Sequence, residues 1–268
     1  MKRMIAKLSI PLFALALAGC VTAPLAPGAG GPLADRPVSD MPASGKTTAT
    51  AKVHVELGLA YFQVGRYAVA LDEARIALQS DSSYSPAYHL MGLVYMYVED
   101  PNAARENFQR ALSLAPNDPE FNNSYGWFQC VTGQTQDGLA RLSMAARNPY
   151  YRTPTRPYTN AGLCYLREGN DAAAENEFQR AVQLDSGNAQ AMYHLAEIAY
   201  RRGAYSVAST YLVKLHQQGE PSARSIWLGL RTERRMGNRD AEASYAAQLR
   251  GRFADSPEYQ AMIQGKYQ

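Results

Sequence analysis

The chain has 268 residues, with 27 Lys+Arg against 24 Asp+Glu, 46% hydrophobic residues and only 19% charged ones, which excludes a polar disordered chain and leaves either two compact domains or one long repetitive one. Three of the bases (Lys2, Arg3 and Lys7) belong to an N-terminal leader, so the remainder is neutral and offers no electrostatic reason to expect nucleic acid as a partner. Four His and three Cys, all scattered, exclude a zinc module.

The leader runs from Met1 to Cys20. A basic start is followed by an apolar stretch, Leu8 to Leu17, too short to span a bilayer as a permanent helix. It ends in Leu17-Ala18-Gly19-Cys20, which resembles the lipobox of bacterial lipoproteins. The resemblance implies that residues 1–19 are a signal peptide and that Cys20 is acylated, with palmitate-type chains whose buried methylenes contribute roughly 0.8 kcal/mol each. Val21 and Thr22 follow, with no Asp beside Cys20, a pattern similar to lipoproteins held on the periplasmic face of the outer membrane. Residues 20–50 are rich in Ala, Pro, Gly and Thr without apolar periodicity and read as a flexible tether. Ser44-Gly45-Lys46-Thr47 matches the tail of a phosphate-binding loop, but Asp40 stands where the loop needs its first Gly, so the match is chance.

From residue 51 the sequence repeats every 33 to 36 positions. Leu57-Gly58-Leu59-Ala60-Tyr61 recurs as Met91-Gly92-Leu93-Val94-Tyr95, then around Gly126, Gly162, Ala196 and Gly229. Downstream of each lies a second set at helical spacing: Ala70/Ala74/Ala77, Ala104/Phe108/Ala111, Gly138/Leu142/Ala145, Ala174/Phe178/Ala181, Ala208/Leu212/Leu215 and Ala241/Tyr245. Small residues on both helices allow close approach, and the ring and Leu positions fill the angle between them. Gly65, Gly133, Gly169, Gly203 and Gly237 fall between the sets and suit the turns. The pattern resembles tetratricopeptide repeats, cleanest over residues 85–118. It implies an all-α superhelical array of about six helix-turn-helix repeats over 51–254, with a C-terminal cap over 255–268.

Cys130 and Cys164 are 34 residues apart, each near the end of the first helix of its repeat. Neighbouring first helices stack and an exported chain meets oxidising conditions, so the spacing predicts a disulfide; two free thiols buried as small hydrophobes is the alternative. No GxSxG, HExxH, CxxC or complete phosphate loop is present, and the four His stand singly. The expectation is a binding protein, not an enzyme, with no cofactor, metal or small-molecule substrate. Stacked first helices form the inner wall of such an array, where aromatic and Arg anchors dominate interfaces. Projection of the repeat onto that wall selects Phe62, His89, Tyr97, Asn123, Trp127, Tyr193 and Arg201 as partner-binding residues, with Val55, Leu59, Gln63, Leu93, Met96, Val131, Arg167 and Tyr200 alongside.

Four segments narrow the resemblance: Asn122-Asn123-Ser124-Tyr125-Gly126-Trp127-Phe128-Gln129-Cys130, Ala161-Gly162-Leu163-Cys164, Ala223-Arg224-Ser225-Ile226-Trp227-Leu228-Gly229, and Asn238-Arg239-Asp240-Ala241-Glu242-Ala243-Ser244-Tyr245. Together with the lipobox they resemble the type IV pilus biogenesis/stability lipoproteins, the PilF/PilW-type secretin pilotins. Ser124 departs from that family, which joins the paired Asn directly to Tyr-Gly. The resemblance implies a lipid anchor at Cys20 and binding of the type IV pilus secretin subunit along the early repeats. It implies that the secretin is thereby helped to the outer membrane and into its ring, as pilus biogenesis and twitching motility require. A cysteine pair like Cys130–Cys164 occurs in part of the family. The competing expectation is a tetratricopeptide lipoprotein serving another envelope assembly, such as outer-membrane protein insertion or a cell-wall enzyme complex.

Overall fold

A computed structural model describes residues 35–267. Among them are thirteen α-helices and no strand. They are α1 (Lys46–Gln63), α2 (Tyr67–Ser80), α3 (Ser85–Tyr97), α4 (Pro101–Leu114), α5 (Pro119–Val131), α6 (Thr135–Arg147), α7 (Thr155–Arg167), α8 (Asp171–Leu184), α9 (Ala189–Arg201), α10 (Tyr205–Gln218), α11 (Ala223–Met236), α12 (Arg239–Arg252) and α13 (Pro257–Ile263). The first twelve pair as six antiparallel hairpins, and α13 packs on α11 and α12. No helix among the described residues is long and apolar enough to cross a membrane. The leader and Cys20 lie outside the described residues.

Helix ends follow local chemistry. Asp100, Asp118, Asn170, Asn188, Ser222, Asn238 and Ser256 cap α4, α5, α8, α9, α11, α12 and α13 by accepting from backbone N–H groups of the first turn. Proline occupies the first position of α4, α5 and α13, where its missing N–H costs nothing. Five of the hairpin turns place glycine in the left-handed region, and the second places Glu99 there instead, at φ 61°.

Close approach inside each hairpin explains the repeat. A Cβ added at Gly92 or Gly162 would lie 2.7 or 2.5 Å from the ring of Phe108 or Phe178, and one at Gly229 would lie 2.6 Å from Tyr245. In the third hairpin both sides are glycine, and a Cβ at Gly126 would meet the Gly138 carbonyl oxygen at 2.8 Å. Phe108 and Phe178 are fully buried, and truncating such a ring costs about 3–5 kcal/mol. In the fifth hairpin Ala196 replaces the glycine and Leu212 replaces the ring, so the smaller filler matches the larger first-helix residue.

First helices touch in an unbroken row, α1 to α3, α3 to α5, α5 to α7, α7 to α9 and α9 to α11; second helices pack chiefly on their own partner and on the next first helix. This asymmetry makes the first helices the inner layer of a superhelical stack. Cys130 and Cys164 join α5 to α7, with S–S 2.05 Å and Cα–Cα 5.6 Å.

Residues 35–50 differ from the expected tether. α1 starts at Lys46, not near 51, and Val38–Asp40 forms a single 3-10 turn. Pro37 is buried, and Val38 packs against the core of the first hairpin. A stretch of one turn is too short to carry a helical period, so composition alone reads it as tether.

Candidate functional site

The first helices of the three early repeats enclose a cleft of about 420 Å³. On α1, Lys52, Val55, Glu56, Leu59, Phe62 and Gln63 share one face by their spacing and line it, with Val55, Leu59 and Phe62 as the apolar floor. His89 and Leu93 of α3 and Phe121 of α5 extend that floor. Two irregular segments complete its wall and touch each other: Pro37–Asp40, and the connection between α6 and α7 with Tyr151, Arg152 and Thr153, where Arg152 pairs with Asp40 at 2.8 Å. The lining is apolar at the bottom and charged at the rim, where Arg156 donates to Glu120 at 2.8 Å.

Electrostatics at the cleft are governed by burial. Asp118 is 1% exposed; its Oδ1 caps α5 by accepting from the N–H groups of Glu120 and Phe121, and its Oδ2 accepts from the Val38 N–H at 2.8 Å. Burial pushes its carboxyl up to about 6, opposed by those three N–H groups. His89 is 6% exposed and stacks on Phe121 with centroids 4.8 Å apart. Burial holds its imidazole at about 4, so it is neutral at pH 7, and its Nε2 has no hydrogen-bond partner. Burial also pushes Tyr84 to about 12 and raises Tyr151. Such a cleft can hold an extended chain against apolar side chains while its rim reads charge.

Tetratricopeptide-repeat family profiles match residues 85–118 and 159–223. The type IV pilus assembly protein PilF of Pseudomonas aeruginosa is 29% identical over 207 residues, 77% of this chain and 82% of PilF. A solved structure from the functional characterisation of that PilF superposes with a TM-score of 0.72 at 28% identity, over 82% of this chain and 99% of the PilF chain. The crystal structure of PilW, described as a widely conserved type IV pilus biogenesis factor, gives the same score and identity over 80% and 98%. The chain is a tetratricopeptide-repeat protein homologous to PilF.

In this PilF homologue the residues projected onto the inner wall have different surroundings. Phe62 lines the cleft, and its ring meets Tyr97 edge-on at 5.0 Å; Tyr97 itself is 57% exposed. His89 reaches the cleft but belongs to its floor, not to an accessible wall, because it is sandwiched against Phe121 and Phe108. Asn123 is a correction: it is 1% exposed and accepts from the Asn160 amide at 3.0 Å, so it joins α5 to α7 inside the core. Its neighbour Asn122 is equally buried, donates to the carbonyls of Pro116 and Asp118, and accepts from Arg141. Ser124 lies within α5 and is buried, so the helix runs through it without a break.

Trp127 is half-buried against the cluster around Cys130 and Cys164. Tyr193 and Arg201 are both on α9, away from the cleft. Arg224 covers the Tyr193 ring at 5.3 Å, and Arg201 pairs with Asp171 through two hydrogen bonds. Sequence reasoning missed Asp118, Asn148, Arg152 and residues 35–41. The Asn-Asp-Pro of 117–119 signals a cap, but nothing local signals that the same carboxylate serves a distant strand of chain.

Proposed function

We propose that this chain is an outer-membrane lipoprotein of type IV pilus biogenesis, anchored through Cys20 on the periplasmic face. Its early-repeat cleft binds the secretin subunit and promotes secretin localisation and assembly. The cleft between α1, α3 and α5 is the observation that carries the reading: it offers Leu59, Phe62 and Leu93 to a single extended segment in a PilF homologue. Escort needs no chemistry; lipid sets the location and the cleft holds the cargo, which suits a surface of apolar floor and charged rim.

A pull-down from outer membranes tests it, with the intact protein, a Cys20→Ser variant and a Leu59→Asp variant. Cys20→Ser is expected to leave the membrane fraction and to mislocalise the secretin. Leu59→Asp, on a half-buried cleft residue, is expected to weaken secretin capture at least tenfold, about 1.4 kcal/mol, with helical circular dichroism retained. Recovery of insertion machinery or cell-wall enzymes in place of the secretin would overturn the assignment.

A further inference from the structure

Beside the cleft, side chains of the repeats grip a polypeptide main chain, and the chain's own residues 35–41 lie in that grip. Three side chains from three separate places hold three of its backbone groups. The Asp118 carboxylate accepts from the Val38 N–H at 2.8 Å. The Asn148 amide donates to the Asp35 carbonyl at 2.7 Å, and the Lys52 ammonium donates to the Met41 carbonyl at 3.2 Å. Side chains of the segment are recognised as well. Arg152 pairs with Asp40 at 2.8 Å, Arg36 lies 5.0 Å over the Tyr150 ring, and Pro37 is buried. Pro37, Ser39 and Asp40 then form one wall of the 420 Å³ cleft.

We infer that residues 35–41 are a resident ligand, and that they compete in cis with an outside extended peptide for the Asp118, Asn148 and Lys52 contacts beside the cleft. Main-chain contacts of this kind accept many sequences, whereas the Pro37-Val38 contact and the Arg152–Asp40 pair select a short apolar step followed by an acidic side chain. The favoured outside ligand is therefore an extended peptide of that type. A covalently tethered competitor acts at an effective concentration in the millimolar range, so it blocks weak peptides and yields to one that makes additional contacts along Leu59, Phe62 and Leu93. The inference rests on the cleft being a peptide site, as proposed above, and the assay below needs no secretin, so the two can fail separately.

The test uses the full chain in detergent and a fluorescein-labelled synthetic peptide of residues 35–43. Fluorescence anisotropy compares wild type with a triple variant, Pro37→Ser, Val38→Gly and Asp40→Ser, which weakens the resident segment and its 3-10 turn without substituting any residue of an α-helix. The triple variant is expected to bind the peptide at least tenfold tighter than wild type. Adding Asn148→Ala, which deletes a receptor contact outside any helix, is expected to abolish that gain. Equal binding by wild type and the triple variant, no binding to either, or a gain that survives Asn148→Ala would overturn the inference. Hydrogen exchange on the unmodified protein gives a second reading: the Val38 amide is expected to exchange slowly, and exchange at the rate of an unprotected peptide would also overturn it.

Discussion

On α9, Tyr193 and Tyr200 lie beneath arginines of the next first helix, Arg224 at 5.3 Å and Arg231 at 4.9 Å, whereas on α1 no arginine among the described residues covers Phe62. The late repeats close their inner aromatics with cations supplied one repeat further along. The early repeats leave theirs facing a cleft, and close it instead with residues 35–41 and the connection between α6 and α7. A cation lid is fixed within the helical repeat, because both partners sit on stacked first helices. A lid made of irregular chain is held by a handful of hydrogen bonds, and so can be exchanged for another chain at modest cost.

The seam between the halves is the place to break this comparison. Replacing Cys130 and Cys164 by Ser removes a cross-link over 34 residues, and the chain-entropy relation gives a loss of about 4 kcal/mol. Urea titration followed by circular dichroism is expected to show a lower midpoint; an unchanged midpoint would mean that packing alone joins the halves.

Acidification sharpens the contrast next, because the early half carries two buried groups of opposite sign. His89 has its folded pKa lowered to about 4, so the unfolded chain takes up its proton first and stability is lost as pH falls from about 6.5 to 4. Asp118 has its folded pKa raised to about 6, so the folded chain takes up its proton first and stability is gained as pH falls from about 6 to 4. Each is worth about 3 kcal/mol and the two nearly offset. His89→Phe is therefore expected to gain about 3 kcal/mol over wild type on going from pH 7 to 4, read from urea midpoints at both pH values. A variant whose pH dependence matches wild type would refute the assignment of His89.

Within the hairpins the expected effects are smaller. Gly162→Ala would drive a methyl into the Phe178 ring and is expected to cost about 2 kcal/mol in thermal unfolding. Ala196→Gly, at the matching site of the fifth hairpin, is expected to cost only about 1 kcal/mol, chiefly from backbone entropy. If the two losses were equal, the pairing of small residue with ring would not be what sets the hairpin. The smallest effect is a gain: Glu99→Gly removes a left-handed glutamate, and the melting temperature is expected to rise by an amount corresponding to about 0.5–1 kcal/mol.

Much of the fold was legible because its decisive contacts are local. Gly92 with Phe108 and Gly162 with Phe178 are 16 residues apart by their numbering, so both halves of each contact fall within one repeat and recur with it. The placement of Tyr97 and Phe62 on first helices was legible for the same reason, but their exposure was not, because the period alone does not separate core from groove. Asn123 was not, since its burial depends on how the next first helix docks and on Asn160 arriving opposite it. The same holds for His89, whose projection onto the inner layer is right but whose accessibility is removed by Phe121 of the neighbouring repeat.

Six hairpins, their turns and their close-packed small residues are readable along the chain, because period and local sterics carry that information. The wall that Pro37, Ser39 and Asp40 give the cleft arises from the stacking of the repeats. Val38 is 80 residues from Asp118 and Asp35 is 113 from Asn148, and no local propensity encodes a contact that exists only once the repeats have stacked.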